Sequence, residues 1–562
     1  MSVLRAIQPI GRHEFSDILG KNLANLAWGK TIAVANSGGP DSTCLLFLLH
    51  QHFSSDGTTT TQDAGGASTT DASKLRRSLP RVVSLTVDHG LQASSADMAA
   101  NTARVAQAIC AEHRTAKIPW GQGPFPALPT PGSSFEETAR RARYRVLFDE
   151  MTRLESRILA AGHHLDDQVE TALMRLGMKS SLLGASGMKY VRRWGMGDTV
   201  DGLDWAGYEG MRRFIVRPFL GVGKDRILAT CEANHLEYVV DKTNFQPEVT
   251  LRNAIRHVVS NGTDSIKSLP LDLATKMDGI DQALVQHPHF EGGLDAGRDK
   301  LREFVIWMSR EAEAVETEVD TVLKRGRLDS PEGTFCISRE ALLELQDKPL
   351  HQTALLHRIL RYVSPKPWGS LRAQGNRRSQ RLSEMSTRLM RSLSSREFPS
   401  AFAMGSQVLW KPVIRPSKPM RGQEKRKSLL GWMACRQPPD SVGLESTKDK
   451  DITCLVLDAS LAWKSGESRK KLEILWDCRF LVKINLEKMP EWAVSALAEG
   501  GELQIRCDEA WFHPYIVLHT GERESVLFDA LQVAGDPKAD KKKKPKVVDW
   551  IDVKFIRTLS SV

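Results

Sequence analysis

The segment Ser37-Gly38-Gly39-Pro40-Asp41-Ser42 gathers two glycines, two hydroxyls and a carboxylate in consecutive positions. Glycines let the backbone turn tightly and present successive N–H groups, and a helix that starts directly after the turn adds the positive end of its dipole. Ser37 and Ser42 can donate hydroxyl hydrogen bonds to phosphate oxygens, and Asp41 suits a magnesium ion. The G-K-[ST] ending of a Walker A loop is missing. Without that lysine, the loop is better matched to gripping the pyrophosphate that leaves when an AMP group is transferred.

A second group, His163, Asp167 and Glu170, is spaced i, i+4 and i+7. On a helix this spacing brings an imidazole and two carboxylates to one face, which would attract an ammonium group or a metal ion. An amine is nucleophilic only when unprotonated, so a base beside it belongs to such a site. A zinc site would call for a third close His or Cys ligand. Arg143 can hold a phosphate or a developing negative charge bidentately, whereas Arg140 and Arg141 suit a solvated helix face. Asp88 and His89 could contact an adenosine, with helix capping as the alternative for Asp88.

These side chains are far apart in sequence, so the elements around them must do the gathering. Thr31–Ala35 is an apolar strand running into the glycine loop, with a helix directly after it. Arg81–Val87 is a second strand, ending at Asp88-His89-Gly90. A helix around Ala96–His113, a strand near Lys117–Trp120, an arginine-rich helix over Glu136–Met151 and a strand over Arg157–Ala161 follow. Strands alternating with helices imply an α/β fold with a parallel, doubly wound sheet. Ligands of such sheets sit beyond the carboxyl ends of the strands. Ser37, Asp88 and His163 are all expected at those ends, so three separated motifs should converge on one rim.

The chain has 562 residues, too many for one hydrophobic core. The expected organisation is an extension over 1–14, a catalytic domain over 15–260, a helical middle region over 261–400 and a smaller β-rich α/β region over 401–562. Arg5, Arg12 and His13 precede the first acid, Glu14, which is compatible with a transit peptide. Residues 54–79 are Ser/Thr/Gly/Asp-rich and read as a disordered insertion, and Arg193–Met211 as a second inserted loop.

A net charge of +10 suits a polyanion such as nucleic acid, or simply a solvated basic surface. No run approaches the roughly 18 apolar residues that span a bilayer, so no membrane partner is expected. The eight cysteines form no C-x-x-C pair, which argues against a zinc ribbon or a disulfide scaffold and for a reducing compartment. Arg372, Arg377, Arg378, Arg381, Arg388, Arg391 and Arg396 accompany an apolar stripe of Leu382, Met385, Leu389 and Leu393. That pattern is a basic amphipathic helix able to meet an RNA backbone. Lys541–Lys546 reads as a solvated loop, with RNA binding or a nuclear signal as alternatives.

S-G-G-x-D-S is the signature of the N-type ATP pyrophosphatases, the PP-loop family, which this chain resembles. Three further segments resemble the lysidine synthase branch: Val87-Asp88-His89-Gly90-Leu91, Ala139–Tyr144 (A-R-x-x-R-Y) and Gly162–Thr171 (G-H-H-L-D-D-Q-V-E-T). Weaker matches lie at Gly184–Met188, Arg217–Leu220 and Asp241–Arg256, the last with Asn244 and Leu251–Arg256. Asn36 departs from the small apolar residue usual beside the loop, and Cys478 replaces the glycine of a W-D-G-R-F segment at Trp476–Phe480. The likeness covers roughly residues 15–260.

The resemblance implies an adenine nucleotide alpha hydrolase-like fold, ATP and Mg2+ as cofactors, and a ligase forming a carbon–nitrogen bond. The C2 oxygen of the wobble cytidine of tRNA(Ile), anticodon CAU, would be adenylated, and free L-lysine would then displace AMP. It implies Asp41, Arg143, His163, Asp167 and Glu170 as catalytic residues and Asp41 as the metal ligand. Ser37, Gly38, Gly39, Pro40, Asp41, Ser42, Asp88 and His89 would bind ATP. Lysine would be held by His163, Asp167 and Glu170, and tRNA by Arg252, Asn253 and Arg256, with the region 401–562 as a further tRNA contact. Another PP-loop chemistry such as tRNA thiolation, which generally uses paired cysteines, and an inactive tRNA-binding homologue are the alternatives. A mitochondrial matrix location is expected in a eukaryote, a cytoplasmic one otherwise, and a homodimer stays open.

Overall fold

The computed structural model describes residues 7–24, 26–55, 79–91, 95–129, 135–197, 206–239, 248, 250–370, 379–394, 399–416, 427–438, 454–457, 471–507, 513–521, 523–529 and 548–561. The chain forms two compact units, one from residues 1–194 with 212–312 and one from 195–211 with 313–561. The expected insertion at 54–79 and the Lys541–Lys546 run fall almost wholly or wholly outside the described residues.

The first unit holds a six-stranded sheet made of β1 (Thr31–Ala35), β2 (Arg81–Asp88), β3 (Glu112–Lys117), β4 (Ile158–Ala161), β5 (Val191–Arg193) and β6 (Phe214–Val216). Their order is β3-β2-β1-β4-β6-β5, parallel throughout except for the antiparallel edge strand β5. β1 after Thr31 and the whole of β4 are apolar runs with Ile32, Val34, Ile158 and Ala160 fully buried, as central strands covered on both faces must be.

From β1 the chain passes through α2 (Pro40–Ser55) to β2 and through α3 (Ser95–Ala108) to β3. It then returns through α4 (Phe135–Arg153) to β4, on the other side of β1; α1 (Arg12–Leu23) precedes the sheet. Crossovers are right-handed, so this reversal puts α4 on the face opposite α2 and α3. The reversal opens a crevice between the carboxyl ends of β1 and β4, where Asn36 and Gly162 leave the sheet.

Beyond the sheet come α5 (Leu165–Gly177), α6 (Lys224–Ala233), α7 (Leu251–Asn261), α8 (Leu271–Val285) and α9 (Arg298–Gly326). One face of α5 carries Val169, Ala172, Leu173 and Leu176 into a core shared with Ile255 and Val258 of α7, Met277 and Ile280 of α8, and Phe304 and Met308 of α9. That anchorage leaves the acidic face of α5 turned toward the sheet's rim. On the opposite side of the loop, the helix α2 buries Cys44, Leu45, Leu46, Leu48 and Leu49 in a second core with α1 and α6.

Three expectations for this region need correction. The helix expected to reach His113 stops at Ala108, and the strand expected near Lys117–Trp120 lies earlier, at Glu112–Lys117, with His113 in it. A Schellman turn ends the helix: Ala111 N–H reaches Ala106 O at 3.0 Å and Cys110 N–H reaches Gln107 O at 2.8 Å. Cys110 sits at φ 59 in the left-handed position that glycine usually fills, so no glycine marked the stop. Nor is Arg193–Met211 a plain inserted loop. Arg193 ends β5 through a ladder with Phe214, and Gly207–Met211 is a short helix of the second unit.

The second unit is mostly antiparallel. Strands β7 (Arg327–Leu328), β8 (Phe335–Ser338), β9 (Phe402–Ala403), β10 (Val408–Pro416) and β11 (Lys427–Arg436) form one sheet in the order β7-β8-β11-β10-β9. β12 (Cys454–Leu457), β15 (Glu502–Cys507), β16 (Pro514–Thr520) and β17 (Arg523–Asp529) form a second. β13 (Lys471–Trp476), β14 (Phe480–Asn485) and β18 (Ile551–Phe555) form a third. Strands thus begin at β7, inside the stretch expected to be helical, alongside α10 (Pro349–Val363) and α11 (Ser379–Ser394).

α11 is the basic amphipathic helix: Leu382, Met385, Leu389 and Leu393 are buried while Arg381, Arg388 and Arg391 are exposed. Arg372, Arg377, Arg378 and Arg396 lie outside the described residues. Between β13 and β14 the turn Asp477-Cys478-Arg479 puts Asp477 at φ 52 and Cys478 at φ 50. The Asp477 carboxylate, 1% exposed, takes both Arg436 and Arg479 at 2.7–2.8 Å.

Candidate active site

The loop after β1 folds around one buried side chain. Asn36 accepts the Gly38 N–H at 3.0 Å and the Ser42 hydroxyl at 2.9 Å through Oδ1. Ser42 Oγ in turn accepts the Ser37 N–H at 3.2 Å. Gly38 stands at φ 80, a conformation costly for other residues. Pro40 starts α2 without an N–H, where none is needed, and Thr43 N–H returns to Gly39 O at 3.0 Å.

β4 brings the second motif against this loop. A Cβ on Gly162 would stand 2.9 Å from the Asp41 carbonyl carbon and oxygen and 3.0 Å from Ser42 N, so only glycine permits the approach. The helix α5 begins at Leu165, not at His163. His164 is its N-cap, and its backbone N–H donates to Asp167 Oδ2 at 3.0 Å, closing a capping box. His163 therefore sits in the turn ahead of the helix rather than on the helical face expected for it. It still lines the same cleft as Asp167 and Glu170, because the turn leaves the carboxyl end of β4 there.

The cleft encloses about 1280 Å³ and is lined by Asn36, Ser37, Gly39, Pro40, Asp41 and Ser42 together with Asp88, His89, Arg143, His163, Asp167, Glu170, Arg252, Asn253 and Arg256. His164 bridges the two motifs, its Nε2 3.6 Å from Asp41 and 3.5 Å from Asp167. Asp88 Oδ1 accepts the Gly90 N–H at 2.9 Å, and His89 O accepts the Trp120 indole N–H at 2.7 Å.

Several partners of the acids were not legible in the sequence. Lys224, at the start of α6, places its ammonium 2.5 and 2.6 Å from the two Asp41 oxygens. Asp166 accepts the Lys224 backbone N–H at 2.9 Å and binds the Arg302 guanidinium at 2.8–2.9 Å, so it fixes where α6 begins. Arg256 binds Glu170 through Nε and, at 3.1 Å, through Nη2, and stands 3.6 Å from Asp167. Arg252 Nε is 3.4 Å from Glu170. Two arginines expected to meet RNA thus pair with the acids of α5, and Asn253 between them is buried. Each of these contacts spans dozens of residues, and nothing local marks a first-turn lysine or a mid-helix arginine as special.

Burial dominates the electrostatics. It pushes the Glu170 carboxyl up to about 7, helped by the Asp167 charge and opposed by Arg256 and Arg252. It drives His163 down to about 4, together with the Arg217, Arg252 and Arg140 guanidiniums and against Asp167. His163 is therefore neutral near pH 7, with a buried Nδ1 that has no hydrogen-bond partner among the described residues. His89 falls to about 4 through burial and the Arg143 charge. Burial would raise Asp167, but His164, His163 and the His164 N–H hold it below the ordinary carboxylate range. Arg140, Arg217, Arg143 and Arg192 outweigh burial at Tyr144 and lower its phenol. A neutral imidazole, a carboxyl poised near neutrality and an arginine-rich wall can together bind anions and accept a proton.

An apolar strand entering this glycine loop at the switch point of a parallel sheet, with a second acidic motif at its side, defines a PP-loop nucleotide-binding domain. Residues 13–263 match the PP-loop domain family. The chain is 34% identical over 260 residues to the tRNA(Ile)-lysidine synthase of Methylobacterium nodulans, covering 46% of this chain and 62% of that protein. It is 30% identical over 297 residues to that of Bacillus subtilis, covering 52% of each. It is 30% identical over 336 residues to that of a Bradyrhizobium species, covering 57% of this chain and 80% of that protein. The chain belongs to the tRNA(Ile)-lysidine synthase family of PP-loop proteins. It spans under two thirds of the length of the first two relatives.

Proposed function

We propose that the protein is a tRNA(Ile)-lysidine synthase, an ATP-dependent ligase that joins free L-lysine to C2 of the wobble cytidine of tRNA(Ile). The observation that carries this reading is the meeting of the phosphate loop and the α5 acids in one cleft, with His164 within 3.6 Å of both Asp41 and Asp167. A pyrimidine held there would lie between the loop and the base that must activate an amine.

In this reading ATP lays its phosphates on the Ser37–Ser42 loop, with Arg143 on the α-phosphate side and Asp88 and His89 toward the adenosine. The C2 oxygen of the cytidine attacks the α-phosphorus and pyrophosphate leaves. Asp41 fits a cation, since both its oxygens already embrace the Lys224 ammonium at 2.5 and 2.6 Å. Magnesium bound there with the phosphates would neutralise their charge. The lysine ammonium would take the place of the Arg256 or Arg252 guanidinium beside Glu170 and Asp167, one cation exchanged for another. Glu170, poised near 7, then accepts a proton from the ε-ammonium, and the amine attacks C2 and expels AMP.

The exposed arginines of α11 supply a surface for the RNA backbone. The compartment would be the mitochondrial matrix in a eukaryote and the cytoplasm in a bacterium, which a tagged copy would report. The deciding experiment follows labelled lysine and AMP with unmodified tRNA(Ile) bearing a CAU anticodon. Lysine-dependent AMP formation with label in the RNA is expected. No incorporation would overturn the assignment.

A further inference from the structure

We propose that Asn36 is a positioning residue for the phosphate loop, setting the direction of the loop's donors through its amide and anchored on its far side by Ser84, which His113 braces. This rests on the reading of Ser37–Ser42 as the segment that grips ATP.

Asn36 is 2% exposed, and a primary amide buried that deeply is costly unless its hydrogen bonds are made. Every polar atom of Asn36 is engaged. Its backbone N–H donates to Leu85 O at 2.9 Å, and its carbonyl accepts the Thr86 hydroxyl at 2.9 Å. Oδ1 accepts from Gly38 N–H at 3.0 Å and from Ser42 Oγ at 2.9 Å, while Nδ2 donates to Ser84 Oγ at 3.1 Å.

The direction of the amide's own bonds follows from the chemistry of their ends. The Gly38 N–H can only donate, so the amide oxygen faces the loop and the NH2 faces Ser84. Ser84 Oγ accepts that N–H and also meets His113 Nδ1 at 2.9 Å, a contact in which either end can donate. His113 Nε2 lies 2.9 Å from Thr115 Oγ1, so both ring nitrogens are engaged whichever one carries the proton. A chain of hydrogen bonds thus runs from β3 through β2 to the loop, and the Gly38 N–H at its end leaves the amide one orientation.

The loop's geometry is the product. The Gly38 N–H and the Ser42 O–H are turned inward onto Asn36, which requires the left-handed Gly38 at φ 80. Thr43 N–H is bonded to Gly39 O, and Pro40 has none. The donors this arrangement leaves for an anion are the first N–H groups of α2, at Asp41 and Ser42, beside the Ser37 hydroxyl, which stands 3.3 Å from Ser42 Oγ. Without the Asn36 amide, Gly38 N–H loses its acceptor and Ser42 O–H keeps only Gly39 O, at 3.1 Å, so an anion must then meet a loop that is less firmly held in one shape.

The test measures binding of magnesium-ATP to the full chain by calorimetry, with neither RNA nor amino acid present, alongside the melting temperature. Asn36→Ala should weaken binding about tenfold, the effect of two lost hydrogen bonds of ordinary strength. Ser84→Ala, which leaves Asn36 in place but removes its anchor, should weaken it by a smaller factor in the same direction. Ser156→Ala is the control. Its buried hydroxyl bonds Thr31 O at 3.0 Å, at the amino end of the same sheet, so it should lower stability and leave ATP affinity unchanged. In turnover, Asn36→Ala should raise KM for ATP with kcat nearly unaltered.

ATP affinity of Asn36→Ala within about twofold of the parent, or an equal loss in Ser84→Ala and Ser156→Ala, would overturn the proposal, since either makes Asn36 a packing residue only. Should Asn36→Ala fail to fold, the Ser84→Ala and Ser156→Ala pair decides alone. Because the readout needs no lysine, it can fail while the lysidine reading stands, and the reverse.

Discussion

Lys224 Nζ lies 2.5 and 2.6 Å from the two carboxylate oxygens of Asp41, although 183 positions separate them in the chain. Asp166 makes the pairing possible by capping α6 through the Lys224 N–H at 2.9 Å, and Arg302 holds Asp166 in turn. The ammonium therefore stands beside the loop where phosphate charge would gather. Lys224→Met should lower kcat/KM for lysine-dependent AMP formation by about a hundredfold, the scale seen when one charge-stabilising donor is removed. Lys224→Arg should keep part of the activity. Initial rates with saturating tRNA check this, and a loss below about threefold would remove Lys224 from the machinery.

Glu170 makes the protein's stability depend on pH in a stated direction. Its folded-state value, about 7, lies above the ordinary 4.5, so folding favours the protonated form. Its contribution is fully present below about pH 4.5 and is lost as pH rises through about 7. Glu170→Gln does not titrate. The melting temperature of the parent relative to Glu170→Gln should therefore fall between about pH 5 and about pH 8. A parent that gains on the variant as pH rises would show that Arg256 and Arg252 outweigh burial after all.

The rate should respond to the same group. AMP formation is expected to rise with pH through about 7 and level off, as the carboxylate becomes available to take the proton of the amine. Glu170→Gln should lose that limb as well as most of its activity. A pH profile unchanged in shape would assign the proton transfer elsewhere.

Gly162 is where the two motifs touch. Adding a methyl group puts it 2.9 Å from the backbone of Asp41, which cannot move aside as a flexible side chain would. Gly162→Ala should cost about 2 kcal/mol of stability, typical of overpacking, and should weaken ATP binding together with it. Denaturant unfolding and calorimetry measure the two effects. A fully stable Gly162→Ala with normal ATP affinity would mean the contact is looser than 2.9 Å.

Cys478 offers a gain. It stands at φ 50, next to Asp477 at φ 52, in the turn between β13 and β14. Glycine carries no steric penalty there, so Cys478→Gly should raise stability by about 0.5–1 kcal/mol. The neighbouring Asp477 ion pairs with Arg436 and Arg479 stay in place. Thermal unfolding of the two proteins compares them directly, and a lower midpoint for the glycine variant would show that the thiol's packing outweighs the strain.

The amino-acid sequence by itself determined the strand, glycine loop and helix at Thr31–Ser55, the convergence of Ser37, Asp88 and His163 on one rim, and the acids Asp167 and Glu170 in one cleft. Those features rest on local pattern: apolar runs that must be buried, and turns that need glycine. Tertiary structure alone decided which cation meets which acid. Lys224 with Asp41, Arg302 with Asp166, and Arg256 with Glu170 all depend on how α6, α9 and α7 pack against α2 and α5. It also set the start of α5 at Leu165, since the Asp167 carboxylate caps the helix only once β4 delivers His164 in extended geometry. Spacing along a chain fixes what a segment can become, whereas long-range ion pairs and perturbed proton affinities arise only after distant segments have excluded water together.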